Sequence, residues 1–229
     1  MSAEVLFAES SWREDVRPDS RTVAVAAGWN PEDFGREQIR SLVRQVFFAK
    51  GERLVRQVVF SAFDPQTDVK SICLRVGVAL ALETEGSVAV VGDRPQLLRD
   101  RETNLPGTSD GVVPLREAAT RLRGNLWLMP GSAKDESRRA TPSLHSYLGE
   151  MRKEFEYSIL EGPPAGESNE TAAMAQFADG VILVLSAHRT RRVVARKVKE
   201  ILEAGQARVL GVVLTDRVFP IPEGVYRRL

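Results

Sequence analysis

At 229 residues the chain has room for one full α/β domain with an arm, and two large domains are excluded. Its 32 Lys and Arg against 31 Asp and Glu leave a formal net charge of +1, which excludes an overall field suited to nucleic acid or to a strongly acidic partner. The single cysteine, Cys73, excludes an internal disulfide and is compatible with a reducing cytoplasm. No window reaches the roughly 20 apolar residues of a membrane span, and residues 1–10 lack the basic start and apolar core of a signal peptide, so any membrane association is expected to run through a partner.

Residues 1–35 are polar and weakly periodic apart from Thr22-Val-Ala-Val-Ala-Ala27, and Trp12, Pro18, Trp29 and Pro31 punctuate them. They read as an arm ahead of a domain spanning 36–229. In 36–48, Ile39, Leu42, Val43, Val46 and Phe47 recur at helical spacing beneath a basic outer face. The apolar continuity of 54–60 predicts a strand buried on both faces. A loop from Asp64 to Ser71 leads into an amphipathic helix, with Glu85-Gly86 placed where a C-cap glycine is expected.

The next strand is 87–91, and 96–121 is turn-rich and read as a surface excursion. Strands follow at 125–129, 157–160, 180–185 and 207–214, with helices at 144–155, 171–177 and 190–204 between them. The last helix is expected to turn Val193, Val194, Val198 and Ile201 towards the sheet. This alternation predicts a three-layer, doubly wound, mostly parallel α/β fold. In such sheets sites form beyond the carboxyl ends of strands, which singles out Asp64–Ser71, Gly92–Pro95 and Glu161–Pro164.

In order, these motifs resemble the bacterial tyrosine autokinases of capsule and exopolysaccharide export, within the septum-site and partition group of P-loop ATPases. The resemblance covers about residues 36–229. It rests on the Glu37-x-x-Arg40 helix, with a second arginine displaced to Arg44, on Tyr157-Ser-Ile-Leu-Glu-Gly-Pro-Pro164, on Phe177–Leu185, on Thr190-Arg-Arg192, on Val209–Leu214 and on the ending Ile221–Leu229. It implies a P-loop NTPase-like fold, ATP and Mg2+ as ligands, and a neighbouring subunit packed against Glu37, Arg40 and Arg44.

The residues depart from that pattern where the chemistry is done. In Gly-x-x-x-x-Gly-Lys-Ser/Thr, glycines let successive backbone N–H groups converge on phosphate oxygens. Here Lys70-Ser71 is present, but the glycine positions are Asp64, Thr67 and Val69. Asp64 and Asp68 would repel a polyphosphate by roughly 4 kcal/mol per unit charge pair at about 4 Å and an effective dielectric near 20. That amounts to about three decades of affinity.

The family's Asp-x-Asp pair on the second strand corresponds to Gly92-Asp93-Arg94, its aspartate after the later strand to Glu161, a downstream aspartate to Glu170, and its adenine-reading asparagine to Thr215. Tyr226 stands alone where the autokinases carry a tyrosine cluster, and it is the one tail position left for phosphorylation.

Each feature also has a plainer reading. Lys70-Ser71 can be a solvated helix start kept from ancestry, Glu161 and Asp93 can be solvated or paired with Arg94, Cys73 an inert buried thiol, and His145 and His188 ordinary surface histidines. The basic run His188–Lys199 suits anionic lipid or an acidic partner, or is simply a solvated helix face.

The leading expectation is a non-catalytic relative of the exopolysaccharide tyrosine kinases, a cytoplasmic binding or regulatory component. It would need no cofactor and would dock on a membrane-embedded polysaccharide export or chain-length protein, on an active kinase paralogue, or on copies of itself. The alternative is a working ATP- and Mg2+-dependent tyrosine autokinase or ATPase using Lys70, Ser71, Asp93 and Glu161.

Overall fold

A computed structural model describes residues 4–6, 31–49, 53–92, 115–130, 144–167 and 170–216. The strands are β1 (Glu4–Leu6), β2 (Gln57–Ala62), β3 (Val88–Gly92), β4 (Thr120–Arg123), β5 (Leu126–Pro130), β6 (Tyr157–Glu161), β7 (Gly180–Ser186) and β8 (Val209–Thr215). The helices are α1 (Pro31–Phe47), α2 (Val69–Glu83), α3 (Leu115–Ala118), α4 (Leu144–Glu154), α5 (Glu170–Phe177) and α6 (Arg192–Ala204). They form an eight-stranded sheet in the order β1-β8-β7-β2-β6-β3-β5-β4. From β8 to β5 neighbouring strands are parallel, and β1 and β4 close the two edges antiparallel.

Period-two alternation in the strands divides the core into two halves. Val58 and Phe60 of β2, Ile182 and Val184 of β7, and Val88 and Val90 of β3 pack with Ile39, Leu42, Val43 and Val46 of α1 and with Ile72, Val76 and Leu80 of α2. Val59, Ala89, Val181 and Leu183, on the opposite face, pack with Leu148 and Met151 of α4, Met174 of α5, and Val198 and Leu202 of α6. Every residue of β2 and β7 is buried, but the strand expected over 54–60 begins only at Gln57, and Leu54 ahead of it is 72% exposed. Gly77 lets α2 lie close to the sheet, since a Cβ there would overlap Val90 Cγ2.

Several boundaries differ from the expectation. α1 starts at Pro31, inside the segment read as an arm, with proline in the first turn where its missing N–H costs nothing. Glu4–Leu6, also in that segment, pairs with Val212–Leu214 as β1. The run Thr22–Ala27 lies outside the described residues. α2 ends before Gly86: its C-cap is Thr84 in an extended conformation, whose N–H reaches Leu80 O. Within the turn-rich 96–121 stretch, α3 and the start of β4 take shape, held by the backbone pairing of β4 on β5.

The phase of α6 also needs correcting. Val198 and Leu202 face the sheet, whereas Val193 and Ile201 point outward, 78% and 42% exposed. Buried positions four apart set the rotation of the helix, and that rotation turns Val193 and Ile201 away.

At the amino end of the parallel strands one polar knot ties the layers together. Asp179 Oδ2 accepts hydrogen bonds from Arg56 N (2.7 Å) and Gln57 N (2.8 Å), and Asp179 Oδ1 meets Arg152 Nη2 at 2.9 Å. Arg152 Nε donates to the buried Gln57 Oε1 at 3.1 Å, and Gln57 Nε2 reaches Leu148 O at 3.3 Å.

Candidate functional site

The carboxyl ends of β2, β6, β7 and β8 lie side by side, so the loops that follow them meet along one edge of the sheet. The β6 loop is stitched to the end of β2. Gly162 N donates to Phe60 O, Ala165 N to Ala62 O (both 2.8 Å) and Gly166 N to Phe63 O (3.2 Å), while the hydroxyls of Ser61 and Thr171 both donate to Pro163 O at 2.6 Å. This places Glu161 beside the end of β3, where a Cβ on Gly92 would sit 3.3 Å from Glu161 Oε2.

The loop from β2 to α2 closes on itself. Asp64 Oδ1 accepts from Gln66 N (2.9 Å), Thr67 Oγ1 lies 3.2 Å from Asp64 Oδ2, and Val69 N donates to Thr67 O (2.9 Å). Pro65 has no N–H to offer. Asp68 is the N-cap of α2: its carboxylate accepts Ser71 N at 3.0 Å and the Ser71 hydroxyl at 2.6 Å. These two hydrogen bonds hold the Asp68 carboxyl below its ordinary value.

Among the described residues, positive φ at a non-glycine occurs only at Gln206 and Asp216, so the loop contains no left-handed residue of the kind a phosphate cradle uses. Of the donors that such a cradle would point at phosphate, Gln66 N and the N–H and hydroxyl of Ser71 are turned onto Asp64 and Asp68, and Val69 N onto Thr67 O. In this arrangement the two Ser71 donors are already taken up by Asp68. The helix N-terminus, which favours an anion, already holds one in Asp68.

A second closure runs across the site. Arg189, in the turn between β7 and α6, donates from Nη1 to Gln66 Oε1 (3.0 Å) and from Nη2 to Gln66 O (3.4 Å), and its Nε reaches Ser186 Oγ (3.3 Å). Its Nη2 also lies 3.5 Å from Asp216 Oδ2, just past β8. Thr215 Oγ1 is buried, 3.4 Å from both Leu185 O and Asp216 Oδ2, so its one proton serves the β7–β8 junction. Arg189 therefore links the phosphate-loop position to the strand end where the resemblance places adenine recognition.

Of the residues singled out from the sequence, Lys70, Ser71, Glu161 and Thr215 all stand on this edge of the sheet. Asp93, Arg94 and Tyr226 lie outside the described residues. Glu37, Arg40 and Arg44 stand apart on α1. Arg40 is 3.9 Å from Glu37, and Arg44 makes a two-pronged contact with Glu83 of α2, its Nη2 2.9 Å from Oε1 and its Nε 3.0 Å from Oε2. Cys73 is buried, and burial pushes its thiol well above the usual range, with Glu161 adding to the effect.

The sequence reading missed Asp68 as a cap and Arg189 as a bridge. An aspartate directly before an apolar-periodic helix is a readable N-cap signal. The Arg189–Gln66 contact joins residues 123 positions apart and has no local signal. Among the described residues no group of three or more His, Cys, Asp or Glu is placed to hold a metal ion, and no helix is long and apolar enough to cross a membrane.

A parallel sheet covered on both faces, with Lys-Ser opening the helix after a central strand, is the architecture of a P-loop NTPase-like domain. The solved structures agree. The kinase domain of Escherichia coli tyrosine kinase ETK superposes with a TM-score of 0.62 at 14% identity, over 83% of this chain and 80% of that one. The VpsO kinase domain gives 0.61 at 20% identity, over 82% and 98%. MinD of Aquifex aeolicus gives 0.51 at 16% identity, over 76% and 73%.

At these identities the likeness is one of fold. In sequence, 60 residues are 38% identical to the tyrosine-protein kinase CpsD of Streptococcus agalactiae, a match spanning 26% of this chain and 26% of that protein. No family model matches the chain. Sequence and fold together support a relationship to the bacterial tyrosine autokinases.

Proposed function

We propose that this chain is a non-catalytic relative of the exopolysaccharide-biosynthesis tyrosine kinases, a binding or regulatory component of polysaccharide export on the cytoplasmic side of the membrane. Its partner would be a membrane-embedded export or chain-length protein or an active kinase paralogue. One observation carries the reading: the Asp68 carboxylate occupies the N-terminus of α2 and takes up both the N–H and the hydroxyl of Ser71. A phosphate must displace a covalently tethered anion to reach those donors.

Calorimetric titration of the full chain with ATP and Mg2+ tests this. No heat of binding is expected at micromolar nucleotide, and a micromolar isotherm that Lys70→Ala abolishes would overturn the reading.

A second reading keeps the activity. Lys70 and Ser71 begin α2, and Glu161 ends the neighbouring strand β6, so three of the four residues required by an active kinase stand on one edge of the sheet. It requires label transfer from the γ-phosphate of ATP to Tyr226 or to a partner, abolished by Lys70→Met. Absence of transfer with every divalent metal tried ends it.

A further inference from the structure

We propose that the outward face of α6 docks directly on an anionic phospholipid surface. The helix is held to the sheet by Val198 and Leu202, and most of the rest of its circumference is exposed. Val193, 78% exposed, Lys197 and the half-exposed Ile201 follow one another at four-residue spacing along the outermost line. Arg192 and Arg196 run beside them, and Arg191 stands at the N-cap.

No acidic residue occurs between Arg189 and Lys199. The first turn of α6 has none, and Arg191 makes no side-chain capping bond. The acidic residues come later: Glu200, exposed on the same outward face one turn beyond Arg196, and Glu203, paired within the helix to Lys199 at 3.1 Å.

Folding does not account for this composition. Cations beside the positive end of a helix dipole are unfavourable, and a β-branched apolar side chain left in water gives up the transfer energy it could gain by burial. Residues that break the local rules of stability without an internal gain point to function. Arg189 is committed to Gln66 and Asp216, so the surface consists of Arg191, Arg192, Arg196 and Lys197 around Val193.

A convex helix face carrying long, flexible cations around one apolar side chain matches a fluid interface, which conforms to it. Anionic headgroups meet the cations, and Val193 enters the headgroup boundary. An acidic protein would have to supply a rigid complementary groove. Binding of this kind is direct, so it goes beyond recruitment through an export protein, and it does not depend on whether the phosphate-loop position takes nucleotide.

The test is co-sedimentation of the full chain with vesicles of phosphatidylglycerol mixed with phosphatidylcholine, and with vesicles of phosphatidylcholine alone. Partitioning is expected on the anionic vesicles at low salt and is expected to vanish at about 1 M salt, where the Debye length falls to about 3 Å. Each basic side chain near such a surface multiplies partitioning about fivefold, so R192E/K197E is expected to lower it by at least about 25-fold. V193D is expected to lower it roughly tenfold.

All these positions are exposed, so the variants should melt as the parent does, which thermal unfolding checks. Equal partitioning on the two vesicle types, no partitioning on either, or either variant matching the parent overturns the proposal. Capture by an acidic protein without vesicle binding does the same.

Discussion

Asp68 does two things at once: it completes the N-terminus of α2, and it takes up both the N–H and the hydroxyl of Ser71. As a cap it satisfies Ser71 N, an orphan donor of the first turn, so Asp68→Ala is expected to cost about 1 kcal/mol near neutral pH, measured by urea unfolding. The carboxyl is held below its ordinary value of 3.8 by the two Ser71 hydrogen bonds, so the charged form is the one the fold stabilises. Its contribution is complete above 3.8 and is lost as pH falls through the lower folded value. The gap between parent and Asp68→Ala should therefore be constant above pH 5 and close under strong acid, whereas a gap that widened on acidification would contradict the capping role. Gly77 makes a different residue-scale point. A methyl group there meets Val90 on the sheet, so Gly77→Ala is expected to destabilise by about 1–3 kcal/mol through overpacking, despite alanine's better helix propensity.

At the level of elements, the Asp179 knot binds the start of β2, the end of α4 and the turn into β7. Removing the carboxylate leaves Arg56 N, Gln57 N and the Arg152 guanidinium without their shared acceptor. Asp179→Ala is expected to cost about 1 kcal/mol, since Gln57 N is part-buried while Arg56 N and the Arg152 guanidinium lie near solvent, read as a lower urea midpoint at unchanged m-value. A cost within experimental error would mean that water replaces the carboxylate freely. Elements of this kind differ in how readable they are. The buried strands β2, β3 and β7 announce themselves by apolar continuity, and α1 by Ile39, Leu42, Val43 and Val46. The edge strands β1 and β4 do not, because Glu4–Leu6 and Thr120–Arg123 are short and owe their state to backbone pairing with β8 and β5. The rotation of α6 is hard to read from the sequence for a related reason. Val193, Val194, Val198 and Ile201 form one tempting stripe, but contact with the sheet selects Val198 with Leu202.

For the whole molecule, the order of strands and loops could be read from the sequence while the state of the site could not. Lys70, Ser71, Glu161 and Thr215 are brought to one edge because a doubly wound sheet puts its strand ends there. Whether that edge is open depends on contacts with no local trace, such as Arg189 on Gln66 and on Asp216. A closed edge has a measurable consequence for stability. A ligand that binds only the folded state stabilises it by RT ln(1 + [L]/Kd), about 2.7 kcal/mol at a hundredfold excess over Kd. In a chain of this size each kcal/mol moves the melting temperature by about 2–4 °C, so a working site with a 10 μM Kd would raise Tm by roughly 5–11 °C in 1 mM ATP and Mg2+. With the Ser71 donors held by Asp68 and Gln66 held by Arg189, the expected shift is under about 2 °C, since a Kd weaker than millimolar adds less than about 0.4 kcal/mol at that concentration. Differential scanning fluorimetry with ATP, ADP and inorganic triphosphate distinguishes the cases. A rise of several degrees with ATP but not with triphosphate would mean that a nucleoside enters past Arg189. A rise with all three would mean that the Asp68 cap yields to phosphate, and either result would reopen the catalytic reading.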